Sequence, residues 1–95
     1  MAYKIGENMK IKEGFMLRLV AEEYVVVPVG QASIDFNGMM NLNETGAFLF
    51  ERLLKGCTKE ELVAALMDEY DVDIKTANID VDAFVTKLKE ENLFE

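Results

Sequence analysis

Cys57 is the single cysteine of the chain, and histidine is absent. A thiol nucleophile needs a lowered pKa and, ordinarily, a neighbouring base. Lys55 and Lys59 flank Cys57 and favour its thiolate, but no imidazole can accept its proton, so an incidental residue is the better reading. With one Cys and no His, a zinc site would have to be built from carboxylates alone, and His-based acid–base catalysis is excluded. Asp68, Glu69, Asp71 and Asp73 fall within six residues. They lack the alternating ligands, the central glycine and the closing bidentate Glu of an EF-hand loop, so Asp71 and Asp73 read as turn and cap residues. Asp80 and Asp82 stand two apart on a helix and point to different faces, which makes them no acid–base pair. Gly30, Gly38, Gly46 and Gly56 are too dispersed for a phosphate-cradling loop. The expectation is a domain with no catalytic constellation, no metal and no cofactor.

The elements that carry these residues follow from pattern. The 95 residues suit one domain, and 51% hydrophobic with 29% charged is too apolar for a disordered chain. The longest apolar run covers six residues, 24–29, against about 20 for a membrane-spanning helix. The N-terminus has no apolar h-region of a secretory signal, and a lone cysteine fits a reducing compartment, so a cytoplasmic location is expected. The net charge is −8, with −2 in residues 1–50 and −6 in residues 51–95. Nucleic-acid affinity rests on Lys and Arg neutralising phosphates, so an acidic second half disfavours it.

Residues 1–14 carry few large apolar side chains and read as a loosely held arm. Phe15 to Val20 is strand-like, Ala21-Glu22-Glu23 is a polar turn, and Tyr24-Val25-Val26-Val27 is the strongest β-forming run. Pro28 and Gly30 interrupt it. Ala32, Ile34 and Phe36 alternate with Ser33 and Asp35, as in a half-buried strand. Asn37-Gly38 is a hairpin signal, and Met39-Met40-Asn41-Leu42 would be the returning strand. Asn43, Thr58 and Asp73 have the types and spacing of N-caps, Thr58 within a capping box closed by Glu61. Three helices are expected over about 43–55, 59–70 and 74–91. The stripe of the last is Ala77, Val81, Phe84 and Leu88, which leaves Val85 and Lys87 as candidates for an outward face. The expected fold is α+β and winged-helix-like, a small antiparallel sheet of three or four strands over 15–42 followed by three α-helices, with residues 15–95 as one domain.

Met39 and Met40 are adjacent, so on a strand one enters the core and the other is exposed. An exposed Met at an edge is an adaptable contact for an added peptide strand, although edges are often simply covered. An open edge also admits strand-exchanged or edge-paired homodimers.

Several motifs then occur in a recognisable order. The string Leu42-Asn43-Glu44-Thr45-Gly46-Ala47 leads into a helix ending Leu53-Leu54-x-Gly56, followed by Thr58-x-x-Glu61-Leu62. Tyr70-Asp71-Val72-Asp73 and Asp80-Val81-x-x-Phe84-x-x-x-Leu88 come later, with Leu93 near the end. Over about residues 13–95 this resembles the PqqD-like family, named after a pyrroloquinoline quinone biosynthesis protein. The resemblance implies a RiPP recognition element. Such a domain is non-catalytic, binds the leader segment of a ribosomally made precursor peptide, and presents it to a modifying enzyme, often a radical-SAM protein. In the family the leader adds as a strand at the sheet edge and lies against the third helix. On that pattern the peptide contacts are expected at Met39, Met40 and Asn41, with Ile34 and Phe36 as second choices. Val81, Val85 and Leu88 are the corresponding positions on the last helix. The segment 28–38 is longer than the family's tight turn, which leaves the identity of the open edge to the structure. Asp80 and Asp82 are read first as a solvated face and second as groups steering a basic leader. The rival readings are a scaffold or subunit that binds only a protein partner, and a winged-helix DNA-binding regulator.

Overall fold

A computed structural model describes residues 8–35 and 39–95. The chain runs β1 (Phe15–Val20), β2 (Glu23–Pro28), α1 (Ala32–Asp35), β3 (Met40–Leu42), α2 (Glu44–Lys55), α3 (Lys59–Glu69) and α4 (Ile74–Glu90). The three strands form one antiparallel sheet in the order β1-β2-β3. The architecture is thus α+β. The winged-helix comparison holds only loosely, because the sheet precedes the three long helices in the chain.

Ala21 and Glu22, both at positive φ (50° and 68°), close the β1–β2 hairpin. Two consecutive left-handed residues give the turn whose twist matches that of the flanking strands. The register pairs Val20 with Glu23 and Phe15 with Pro28. Beyond β2, Gly14 has φ +98°, and a Cβ added there would lie 2.8 Å from the Cβ of Ala32. Only a glycine allows α1 to settle so closely on the start of β1.

Of the alternating segment 32–36, the described residues 32–35 do not form a strand. Ala32–Asp35 is a single helical turn. Ser33 N–H donates to the Gly30 carbonyl (3.1 Å), as does the Ser33 hydroxyl (2.7 Å), and Ile34 N–H donates to Gln31 O (3.0 Å). Local turn hydrogen bonds therefore prevail over the period-two pattern, which had no strand to pair with once Pro28 ended β2. Ile34 is exposed rather than half-buried. Phe36 and the Asn37-Gly38 signal lie outside the described residues.

The long helices begin at residues whose side chains accept backbone N–H groups. Asn43 accepts from Gly46 (2.7 Å), Thr58 from Glu61 (3.1 Å) and Asp73 from Thr76 (2.8 Å). Glu61 completes the capping box by accepting from Thr58 N–H (2.8 Å). Their inner faces meet under the sheet around Phe50, Leu53, Leu62, Leu66, Val81 and Leu88, all essentially inaccessible to solvent. Truncating one of these, for instance Phe50→Ala, costs about 3–5 kcal/mol.

The described part of the N-terminal segment is tied down, against the expectation of a loose arm. Met9 and Cys57 exchange backbone hydrogen bonds (2.7 and 2.9 Å), Ile11 N–H donates to Leu53 O, and Lys12 N–H donates to Leu93 O. Ile11 is buried in the core. One well-placed isoleucine and a set of main-chain bonds suffice where apolar content is low.

Candidate functional site

The hydrogen-bonding phase of the sheet determines what its β3 edge offers. In an antiparallel ladder, alternate residues direct their N–H and C=O to opposite sides of the strand. Val29 N–H donates to Gly14 O at 2.7 Å, so the bonded pairs of β1 and β2 alternate from Gly14–Val29 to Met16–Val27. Counting along β2, Glu23, Val25 and Val27 then bond to β1, while Tyr24 and Val26 face β3. Their partners are Leu42 and Met40. It follows that both backbone groups of Asn41 point away from the sheet. Met39, next in phase, extends the row beyond the strand itself.

Side chains alternate in the same way. Met40 and Leu42 are buried in the core, whereas Asn41 is exposed and Met39 is 69% exposed. Met39 and Asn41 therefore stand together at an edge that is open among the described residues, and Met40 contributes by holding β3 against Val26. Ile34, 74% exposed, belongs to the connection that leads into this edge.

Helix α4 meets the far end of β3 through Phe84. A Cβ built on Gly46 would lie 3.3 Å from the Phe84 ring and 3.4 Å from the Leu42 Cβ. The half-buried ring thus rests where β3 runs into α2. Sequence reasoning placed Phe84 inside and missed this role. The available signal was Gly46, a residue that costs about 1 kcal/mol in a helix interior and marks a close approach.

The other α4 expectations require correction. Val81 and Leu88 have no solvent exposure, and Val85 is 8% exposed. In this packing Val81 and Leu88 present no surface to a docked peptide and Val85 presents little. The buried row is Ala77, Val81, Val85 and Leu88, so the inward stripe passes through Val85 and turns Phe84 toward the surface. Val85 lies instead beside Met9, Lys59 and Phe94, in a hollow on another flank of the helix.

Asp82 pairs with Lys59 at the surface, which leaves Asp80 as the exposed carboxylate one turn before Phe84. Burial is the main cause that pushes the Cys57 thiol up from its ordinary pKa; Glu61 adds to the rise and Arg52 opposes it. The flanking lysines thus do not make a thiolate of Cys57. Asp73 is held below the usual carboxylate range by the hydrogen bonds from Thr76, a capping effect at a helix N-terminus. Among the described residues no three His, Cys, Asp or Glu side chains gather as they would around a metal ion. No helix among them is long and apolar enough to cross a membrane.

A three-stranded sheet with an open third strand, flanked by a C-terminal helix, defines a class of small α+β domain. Residues 23–93 match the family of Coenzyme PQQ synthesis protein D (PqqD), and the chain belongs to that family. Among solved structures it is similar to TbiB1 in complex with the TbiA(beta) leader peptide. The identity is 26% and the TM-score 0.71, over 92% of this chain and 95% of that one. It also shares the fold of a lasso peptide synthetase B1 complexed with the leader peptide, at 24% identity and TM-score 0.69, over 92% and 96% of the two chains. Comparison with curated proteins found no match.

Proposed function

We propose that this chain is an accessory peptide-binding protein. It takes up the leader segment of a ribosomally made precursor as a fourth strand on β3 and presents it to a modifying enzyme, often of the radical-SAM type. The observation that carries the reading is the outward-facing N–H and C=O of Asn41 at the end of the strand order. Membership of the PqqD family and the leader-peptide complexes of its structural neighbours support it.

An incoming antiparallel strand exchanges two hydrogen bonds with Asn41 and, about 6.8 Å further on, two with Met39. At about 0.5–1.5 kcal/mol net for each bond, the backbone supplies a sequence-tolerant part of the affinity. Met39, Ile34 and Phe84 supply the side-chain contacts that set register and preference, and Phe36 lies in the same connection outside the described residues. The protein performs no chemistry of its own in this reading. It works in the cytoplasm, where precursor and enzyme are made and where a free Cys57 stays reduced.

The test is an NMR titration of labelled protein with the N-terminal segments of short open reading frames encoded beside its gene. Saturable shifts concentrated at Met39, Asn41 and Phe84 are expected with one of these peptides. Binding to the neighbouring enzyme with no shift from any peptide would replace the proposal by a scaffold role.

A further inference from the structure

The face of the sheet turned away from the helices is unusually apolar. Phe15, Val26, Met40 and Leu42 enter the core from one side of the sheet, so Met16, Val20, Val25, Val27 and Asn41 stand on the other. Met39 continues that side next to Val27. A sheet with one face in solvent ordinarily alternates apolar inward and polar outward. Here Met16 is 42% and Val20 53% exposed, and Val25 is 8% exposed although it takes no part in the core cluster.

Two charges interrupt this surface. Arg18 pairs in register with Val25, and Glu23 with Val20, so they occupy diagonal positions on adjacent strands. Both are exposed, and neither takes part in the ion pair found among the described residues. The chain carries a net charge of −8, so two copies repel over most of their surfaces. On this face one cation and one anion cancel. A two-fold contact repeats every pairing, so a cation and an anion on one patch complement themselves in a second copy.

We propose that the outer face of the sheet is a self-association surface. On it a second copy of the chain packs face to face about a two-fold axis, with Arg18 of each copy against the partner's Glu23. Two strands of six residues and one of three, about 4.8 Å apart, cover about 240 Å² per copy. That is well below a standard interface of about 800 Å² per partner, so the association is weak and reversible. It leaves the outward backbone groups of β3 free in each copy while sharing the Met39 and Asn41 side chains, and it stands whether or not that edge takes a leader peptide.

Sedimentation equilibrium of the full chain between about 10 μM and about 1 mM tests this directly. The average mass is expected to rise from 10.8 kDa toward twice that value. Arg18→Glu and Glu23→Arg each replace two attractions by two repulsions and weaken association about tenfold, and the double variant R18E/E23R restores it. Circular dichroism confirms that the variants fold, since both positions are exposed. A monomer mass at every concentration overturns the proposal. So does association that the single variants leave unchanged, and so does a double variant that stays dissociated.

Discussion

Replacing Asn41 by proline separates the two edges of β3 in a single residue. Proline removes one backbone N–H and fixes φ in a range an edge strand tolerates. The Asn41 N–H points away from β2 and its side chain is exposed, so the substitution removes no ladder bond and no core contact. The folded state should lose little, less than about 1 kcal/mol, which for a domain of this size shifts Tm by less than roughly 8 °C. Peptide binding should lose much more. One hydrogen bond disappears, worth about 0.5–1.5 kcal/mol, and the peptide carbonyl that accepted it is left unpaired, at about 1–3 kcal/mol. Together these weaken affinity on the order of 10- to 2,000-fold. The control is Leu42→Pro, which removes a donor directed at Tyr24 together with a buried side chain. It should destabilise by about 3 kcal/mol or more, a fall in Tm of roughly 12 °C or more. Thermal melts by circular dichroism and calorimetric titration with the bound leader segment read the two effects separately. An Asn41→Pro protein that binds normally would show that β3 is not the acceptor edge. One that unfolds while Leu42→Pro is tolerated would show that the hydrogen-bonding phase of the sheet is inverted.

Three further outcomes follow from local structure. The double change Ala21→Asn and Glu22→Gly puts residues suited to positive φ at both turn positions and should raise stability by about 1 kcal/mol in urea denaturation. Gly14→Ala should lower it by about 2–3 kcal/mol in the same assay, because the positive φ and the 2.8 Å approach of Ala32 both oppose a side chain there. Asp73→Ala removes a cap whose folded-state pKa is depressed by Thr76. The stabilisation from Asp73 is present above the unfolded carboxylate pKa and is lost as pH falls through the folded one. The gap in Tm between variant and parent should therefore be open at neutral pH and close in acid.

What could be read from the sequence was what depends on near neighbours along the chain. Asn43, Thr58 and Asp73 cap helices because their side chains reach backbone groups three residues on, a relation that spacing alone specifies. The edge methionines were readable too, since strand alternation separates Met39 from Met40 whatever surrounds them. Two readings failed where distant residues decide. The period-two pattern of Ala32 and Ile34 gave way to the turn at Gly30 and Ser33, because no strand lay within reach to pair. On α4 a half-step in the packing exchanged Phe84 and Val85, and only Gly46, far off in sequence, recorded the space reserved for the ring. The incidental reading of Cys57 agrees with the fold, where burial and Glu61 raise its thiol pKa despite the lysines beside it in the chain.

Amide hydrogen exchange at β3 tests the central claim most directly. In the free protein the Met40 and Leu42 amides, bonded to β2, should exchange slowly, and the Asn41 amide, directed at solvent, should exchange fast. Saturation with a bound leader segment should slow Asn41 and bring it into the range of its neighbours, with Met39 following it. An Asn41 amide that stays fast while the peptide is fully bound would contradict strand addition at this edge and place the peptide elsewhere on the molecule.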